Sequence, residues 1–167
     1  MSVVFVILSF VLICLILVHI NLHQKRKELY DFIETVNKTL MKRHKKIAKL
    51  IKLLEENETT NDIKLLNEKV VRQVQNKELL PSQAIRYEIL IEEKMKNLLK
   101  TLEGKEFSEE VSEAIESYRK TQNKVEKNKA KYNKMISEFM EACNIKPANF
   151  YTSLENIDTD FPRLSAS

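Results

Sequence analysis

Three histidines and two cysteines carry most of the metal-binding and near-neutral acid–base chemistry available to this chain. His44 stands inside Lys42-Arg43-His44-Lys45-Lys46, where an imidazole could ligate a metal or change charge near neutral pH. A metal needs several convergent donors, and no second His, Cys or close carboxylate pair shares the face of His44 at metal spacing. His19 and His23 lie at the edge of an apolar run, so His44 reads as a packed, hydrogen-bonded histidine. Cys14 and Cys143 sit near opposite ends of the chain, which excludes a disulfide framework and a cysteine metal site. Glu55-Glu56, Glu92-Glu93 and Glu109-Glu110 are sequence neighbours. On a helix such neighbours diverge by about 100° and do not converge on one substrate, so they read as solvated faces. The single glycine rules out a phosphate-cradling loop or a dinucleotide fingerprint. No Ser-His-Asp or Cys-His set has a strand-turn context to hold it. The expectation is a protein that is not an enzyme, with no cofactor, no metal and no small-molecule substrate.

The elements that would position any site come in two materials. The first charged side chain is Lys25, and before it eighteen of residues 1–22 are apolar. About 20 residues of helix cross a hydrocarbon layer ~30 Å thick. A cleaved signal peptide would show a basic leader and small residues before the cut, whereas His19-Ile-Asn-Leu-His23 offers no such site. Ile13 is too large to precede a lipidated cysteine at Cys14. Residues 1–23 are therefore read as a single-pass transmembrane anchor in the cell membrane. Lys25, Arg26 and Lys27 follow it at once and nothing basic precedes it, which places the remainder in the cytosol; a plain role as interface anchors is the alternative for these three.

Residues 24–145 hold 28 Lys+Arg and 24 Asp+Glu together with the tail that follows, and the whole chain has three prolines and no tryptophan. With so few turn formers a multistranded sheet is nearly forbidden, and the fold class is all-α. The breaks at Asn57–Asn61, Pro81, Gly104 and Pro147 delimit helices near 25–57, 60–78, 82–103 and 108–144. Thr60 and Asn61 suit a cap for the second, Pro81 the first turn of the third, and Ser108 with Glu109 and Glu110 the start of the fourth. Val111, Ile115, Tyr118, Gln122, Val125, Lys129, Tyr132, Ile136, Phe139 and Cys143 alternate steps of four and three along that fourth helix. Leu29, Ile33, Val36, Leu40, His44, Ile47, Ile51 and Leu54 do the same in the first. Ile63, Leu66, Val70 and Val74, then Tyr87, Ile91, Met95, Leu98 and Leu102, supply stripes for the shorter pair. Four amphipathic helices bury their stripes against one another, giving an elongated antiparallel four-helix bundle with a thin core.

Leu40-Met-Lys-Arg43-His44, continued by Ile47, Leu50 and Ile51, resembles the signature in the first long helix of LemA family proteins. Asn123, Val125, Tyr132, Asn133 and Phe139 are similar to that family's run in its last long helix, and Ile33 stands where members often carry Trp. The resemblance covers roughly residues 1–145 and implies a membrane-anchored antiparallel bundle whose biochemical role is poorly defined.

Some polar residues keep two readings. Gln122 and Lys129 interrupt the fourth stripe, where a polar side chain fixes register between helices. Arg43, Asn123 and Asn133 form one interhelical network or are simply solvated. Lys42, Lys45, Lys46, Lys49 and Lys52 read as a solvated face: they stand about 30 Å along a helix from the anchor, beyond the ~8 Å Debye length, and acids follow them, so no nucleic-acid partner is expected. Residues 146–167 lack a period and read as an extended or disordered tail, with docking of its aromatics on the bundle as the alternative. The functional expectation is a scaffold or adaptor with an unidentified protein partner and weak self-association in the membrane. The alternative is a membrane-tethered sensor or regulatory subunit of an envelope enzyme.

Overall fold

The computed structural model describes residues 2–54, 58–75 and 82–145, and beyond them residues 148, 152, 161, 163 and 164. The chain is all-helical: α1 spans Ser2–Leu53, α2 Glu58–Gln75, α3 Ser82–Leu102 and α4 Glu109–Asn144, and no strand occurs among the described residues. The anchor and the first bundle helix, expected as two segments, are one helix. No glycine or proline lies within Ser2–Leu53, so nothing interrupts its backbone ladder.

Helix ends follow local chemistry. The amide of Leu54 is shared between the carbonyls of Leu50 and Ile51, at 3.2 and 3.3 Å, which closes the last turn of α1. Helix α2 begins at Glu58 and not at the expected Thr60–Asn61 cap. Glu58 places a carboxylate on the helix's positive end, and Thr60 is instead a buried residue of the first turn. Gly104 adopts φ 79°, the left-handed conformation that ends α3, and open space lies where a Cβ would stand, so its role is conformational. Ser108 caps α4: its hydroxyl accepts from the amide of Val111 at 3.4 Å and its carbonyl from that of Ser112 at 3.1 Å. The expected turns at Pro81 and Pro147 lie outside the described residues.

The chain divides into two compact units. One is formed by residues 1–32 with 131–163. Its buried side chains are Leu22 and Leu29 of α1, Tyr132, Ile136, Phe139 and Cys143 of α4, and Ala148 and Phe161. Phe161 packs edge-on against Tyr30 at 5.7 Å and Phe139 at 5.6 Å. The tail expected to be extended lies largely outside the described residues, but at Phe161 the docking alternative is what is found. Burial pushes the Tyr132 hydroxyl up to about 12, with Tyr30 adding to the effect, and raises the Cys143 thiol. Most of Val3 to Ile20 is exposed, with Cys14, Leu15 and Val18 half-buried, and α1 is the one helix among the described residues that is long and apolar enough to cross a membrane.

The other unit comprises residues 33–130 and 164–167. Its core draws on all four helices: Ile47, Leu50 and Ile51; Ile63 and Val70; Ile91, Met95 and Leu98; Ala114 and Tyr118. Complete burial of each such aliphatic side chain contributes about 1.5–3 kcal/mol. In α2 and α3 the inward stripe runs through a polar residue that was not expected there. In α3 the inward position is Glu88, not the half-buried Tyr87, and in α2 it is Asn67, not Leu66. These two polar residues sit where the heptad calls for apolar ones, and the reason lies in their partners.

Candidate functional site

Leu40, Arg43, His44 and Ile47 share one face of α1 through their spacings of three and four, and all four are at most 1 % exposed. A guanidinium and an imidazole are thereby carried into the core of the second unit. Charged side chains persist in such a core only when paired and hydrogen-bonded, and each of the other three helices supplies a partner. From α3, Glu92 Oε1 accepts from Arg43 Nη1 at 2.7 Å, and Glu88 Oε2 accepts from Arg43 Nη2. From α4, Gln122 Oε1 accepts from the same Nη1 at 3.2 Å, and Lys129 Nζ reaches Glu92 Oε1. Gln122 also donates through Nε2 to Glu126 Oε1 at 2.7 Å, and Glu126 lies 3.7 Å from Lys129. From α2, Asn67 Oδ1 stands 2.7 Å from His44 Nδ1 while its Nδ2 donates to the His44 carbonyl at 3.3 Å. The remaining ring atom, Nε2, is 2.5 Å from Glu88 Oε1.

As placed, both nitrogens of His44 face acceptor oxygens, which suits a doubly protonated ring. Burial, and after it the adjacent Arg43, pull the other way and depress its pKa to about 4, against the Asn67 hydrogen bond and Glu92, which raise it. Desolvation is the largest of these effects, so at neutral pH the ring is neutral and its one hydrogen goes from Nε2 to the Glu88 carboxylate. The cluster is two fixed cations, Arg43 and Lys129, against the carboxylates Glu88, Glu92 and Glu126. Its cations fill the centre, and no group of His, Cys, Asp and Glu able to hold a metal occurs among the described residues.

The outcome for each expected residue is specific. His44 is the packed, hydrogen-bonded histidine that its surroundings implied. Lys129 and Gln122 are the polar members of the α4 stripe and both join the network. Arg43 does so too, whereas Asn123 is exposed and Asn133 is a half-buried residue of the other unit. Val125 is core of the second unit; Tyr132 and Phe139 are core of the first. Lys42, Lys45, Lys49 and Lys52 are exposed, as a solvated lysine face requires, while Lys46 is half-buried. Lys25 and Arg26 are half-buried and Lys27 exposed, with Arg26 lying 5.7 Å over the Tyr30 ring. Glu92 is a correction. Read as half of a solvated pair with Glu93, its side chain is only 10 % exposed, because Arg43 and Lys129 meet it inside the bundle, while Glu93 stays in solvent.

Sequence reasoning missed Asn67, Glu88 and Glu92 as members of the cluster. The available signal was spacing: Glu88, Ile91, Met95 and Leu98 step by three, four and three, and Ile63, Asn67 and Val70 by four and three. No family model, curated protein or solved structure matches the chain.

Proposed function

We propose that the chain is a single-pass membrane protein of the LemA type, anchored by the first part of α1, with its antiparallel helical bundle in the cytosol acting as a scaffold or adaptor for other proteins. The observation that carries this reading is that Val3–Ile20 is fully helical, apolar and left uncovered by the rest of the chain, while the same helix goes on to place Arg43 and His44 in a closed core. An aliphatic surface of that length requires lipid to cover it. The cytosolic side follows from Lys25-Arg26-Lys27. A partner protein has apolar footholds on the bundle at Leu65 of α2 and at Ile89 and Leu90 of α3, which are 57 %, 42 % and 42 % exposed. A buried cluster whose carboxylates are tied to fixed side-chain cations supports a structural role over a catalytic one. Self-association is expected to be weak in solution and amplified by confinement to the membrane.

Two measurements test this. Protease added to intact protoplasts should leave the bundle uncut, and digestion would move it to the outer side. Proximity labelling at native abundance should yield a partner set that shrinks in a Leu65→Lys, Ile89→Lys variant of unchanged thermal stability. A set identical to that of an unrelated membrane-anchored helical protein would end the scaffold reading.

A further inference from the structure

A pocket of about 360 Å³ opens between α3 and α4 directly above the ionic cluster, lined by Glu92, Lys96, Leu99, Tyr118, Arg119, Gln122 and Asn123. Three features of its wall are unfinished. Lys96 and Arg119 are exposed cations with no ion-pair partner among the described residues, unlike Lys94, Lys120 and Lys129 on the same two helices. Tyr118 is 4 % exposed, lines the pocket, and its hydroxyl has no hydrogen-bond partner among the described residues. Glu92 uses only Oε1 for both Arg43 and Lys129, which leaves Oε2 without a donor. Burial first, with Glu92 and Glu126 adding and Arg43 opposing, holds the Tyr118 hydroxyl up to about 12, so it is a donor at every physiological pH.

We propose that this pocket binds a small organic carboxylate carrying a neighbouring hydroxyl. The carboxylate meets Lys96 and Arg119 at the rim and accepts from the Tyr118 hydroxyl. The ligand's own hydroxyl donates to the free oxygen of Glu92, and its short carbon chain lies against Leu99. Two cations and one hydroxyl donor match the charge and fork of a carboxylate. An ammonium group in place of the ligand hydroxyl is disfavoured, because Arg43 and Lys129 already crowd the opposite oxygen of Glu92. The site is a ligand site and not a reaction centre, since nothing in the wall is placed to break a bond. It stands independently of the scaffold reading.

The test is calorimetric titration of the full chain in lipid nanodiscs with lactate, propionate, alanine and inorganic phosphate as probes. Lactate is expected to bind saturably, with propionate and alanine each about tenfold weaker, the size of one lost or unfavourable hydrogen-bond partner. Arg119→Gln and Lys96→Gln, both at exposed positions, should each weaken lactate several-fold without moving the melting temperature. Tyr118→Phe should weaken lactate about tenfold and leave the melting temperature in place. Failure of lactate to bind saturably would overturn the site. Phosphate binding tighter than lactate would overturn the carboxylate class, equal affinity for propionate would remove the role of Glu92, and rim variants without effect would place any binding elsewhere.

Discussion

Arg43→Met removes the guanidinium that joins α1 to α3 and α4 while keeping most of the side chain's length and apolar volume. Arg43 is fully buried and contacts Glu88, Glu92 and Gln122, so the variant leaves two carboxylates, 7 % and 10 % exposed in their side chains, without their main counter-charge. Lys129 remains for Glu92 and the His44 N–H for Glu88. Removing one partner of a buried ion pair costs about 3–5 kcal/mol, because the surviving charge is stranded away from water. One relief offsets part of this: Arg43 Nε is buried without a hydrogen-bond partner, so its loss restores about 1 kcal/mol or more. A net destabilisation of about 3 kcal/mol is expected, a large fraction of the ~5–15 kcal/mol that holds a domain together. The second arm is the double variant Arg43→Met, Glu88→Gln, in which the neutral amide still accepts from His44 and the cluster regains the charge balance of the parent. Coupling between the two sites should return at least about 1 kcal/mol of the loss. Urea unfolding of the detergent-solubilised chain, followed by helix circular dichroism, measures both. If Arg43→Met loses less than about 1 kcal/mol, or the double variant is no better than the single, the network is not a buried charge layer and the reasoning fails.

Three further outcomes are expected. Ile136→Asp places a carboxylate at a fully buried position of α4, which costs several kcal/mol, and an unchanged melting temperature would refute the packing of the unit formed by residues 1–32 and 131–163. The His44 pKa is depressed to about 4 from its ordinary 6.5, so the unfolded chain takes the proton first as pH falls. Its stabilising effect is whole above pH 6.5 and is lost on the way down to about 4, an amount of about 3 kcal/mol, and this acid slope should be absent from His44→Gln in a comparison of denaturation midpoints across that window. Gly104→Ala, at φ 79° and with open space around it, should lower stability by about 1 kcal/mol through backbone conformation alone, whereas Gly104→Asn should lower it less, both read as thermal shifts.

The fold was legible wherever one residue's type decides its position. The α4 stripe from Val111 to Cys143 matched its buried face apart from Ala114, which is buried where Ile115 was chosen, and Gln122, which is half-buried. The near absence of glycine and proline gave the all-helical class. Choosing apolar residues first, however, shifts a stripe by one wherever the true inward residue is polar. Tyr87 displaced Glu88 and Leu66 displaced Asn67 for that reason, and Glu92 was sent to solvent with Glu93. A buried Glu88 makes sense only beside Arg43 and His44, more than forty positions away, and nothing local in α3 announces them. Thr60 and Asn61 are good caps in isolation, but the charge of Glu58 serves the same helix end two residues earlier, and α2 starts there.

The distribution of the cluster along the chain also orders its birth. Arg43 and His44 leave the ribosome with the first helix; their partners arrive later on the second and third, and Lys129 only past the middle of the fourth. No subset of three helices gathers every partner: before α4 is made, Arg43 can already meet Glu88 and Glu92, but the two carboxylates share that one fixed cation. Three helices therefore give a cluster one positive charge short, and Lys129 of α4 completes it. A chain truncated before Lys129 should accordingly be less stable than the whole protein and be degraded sooner.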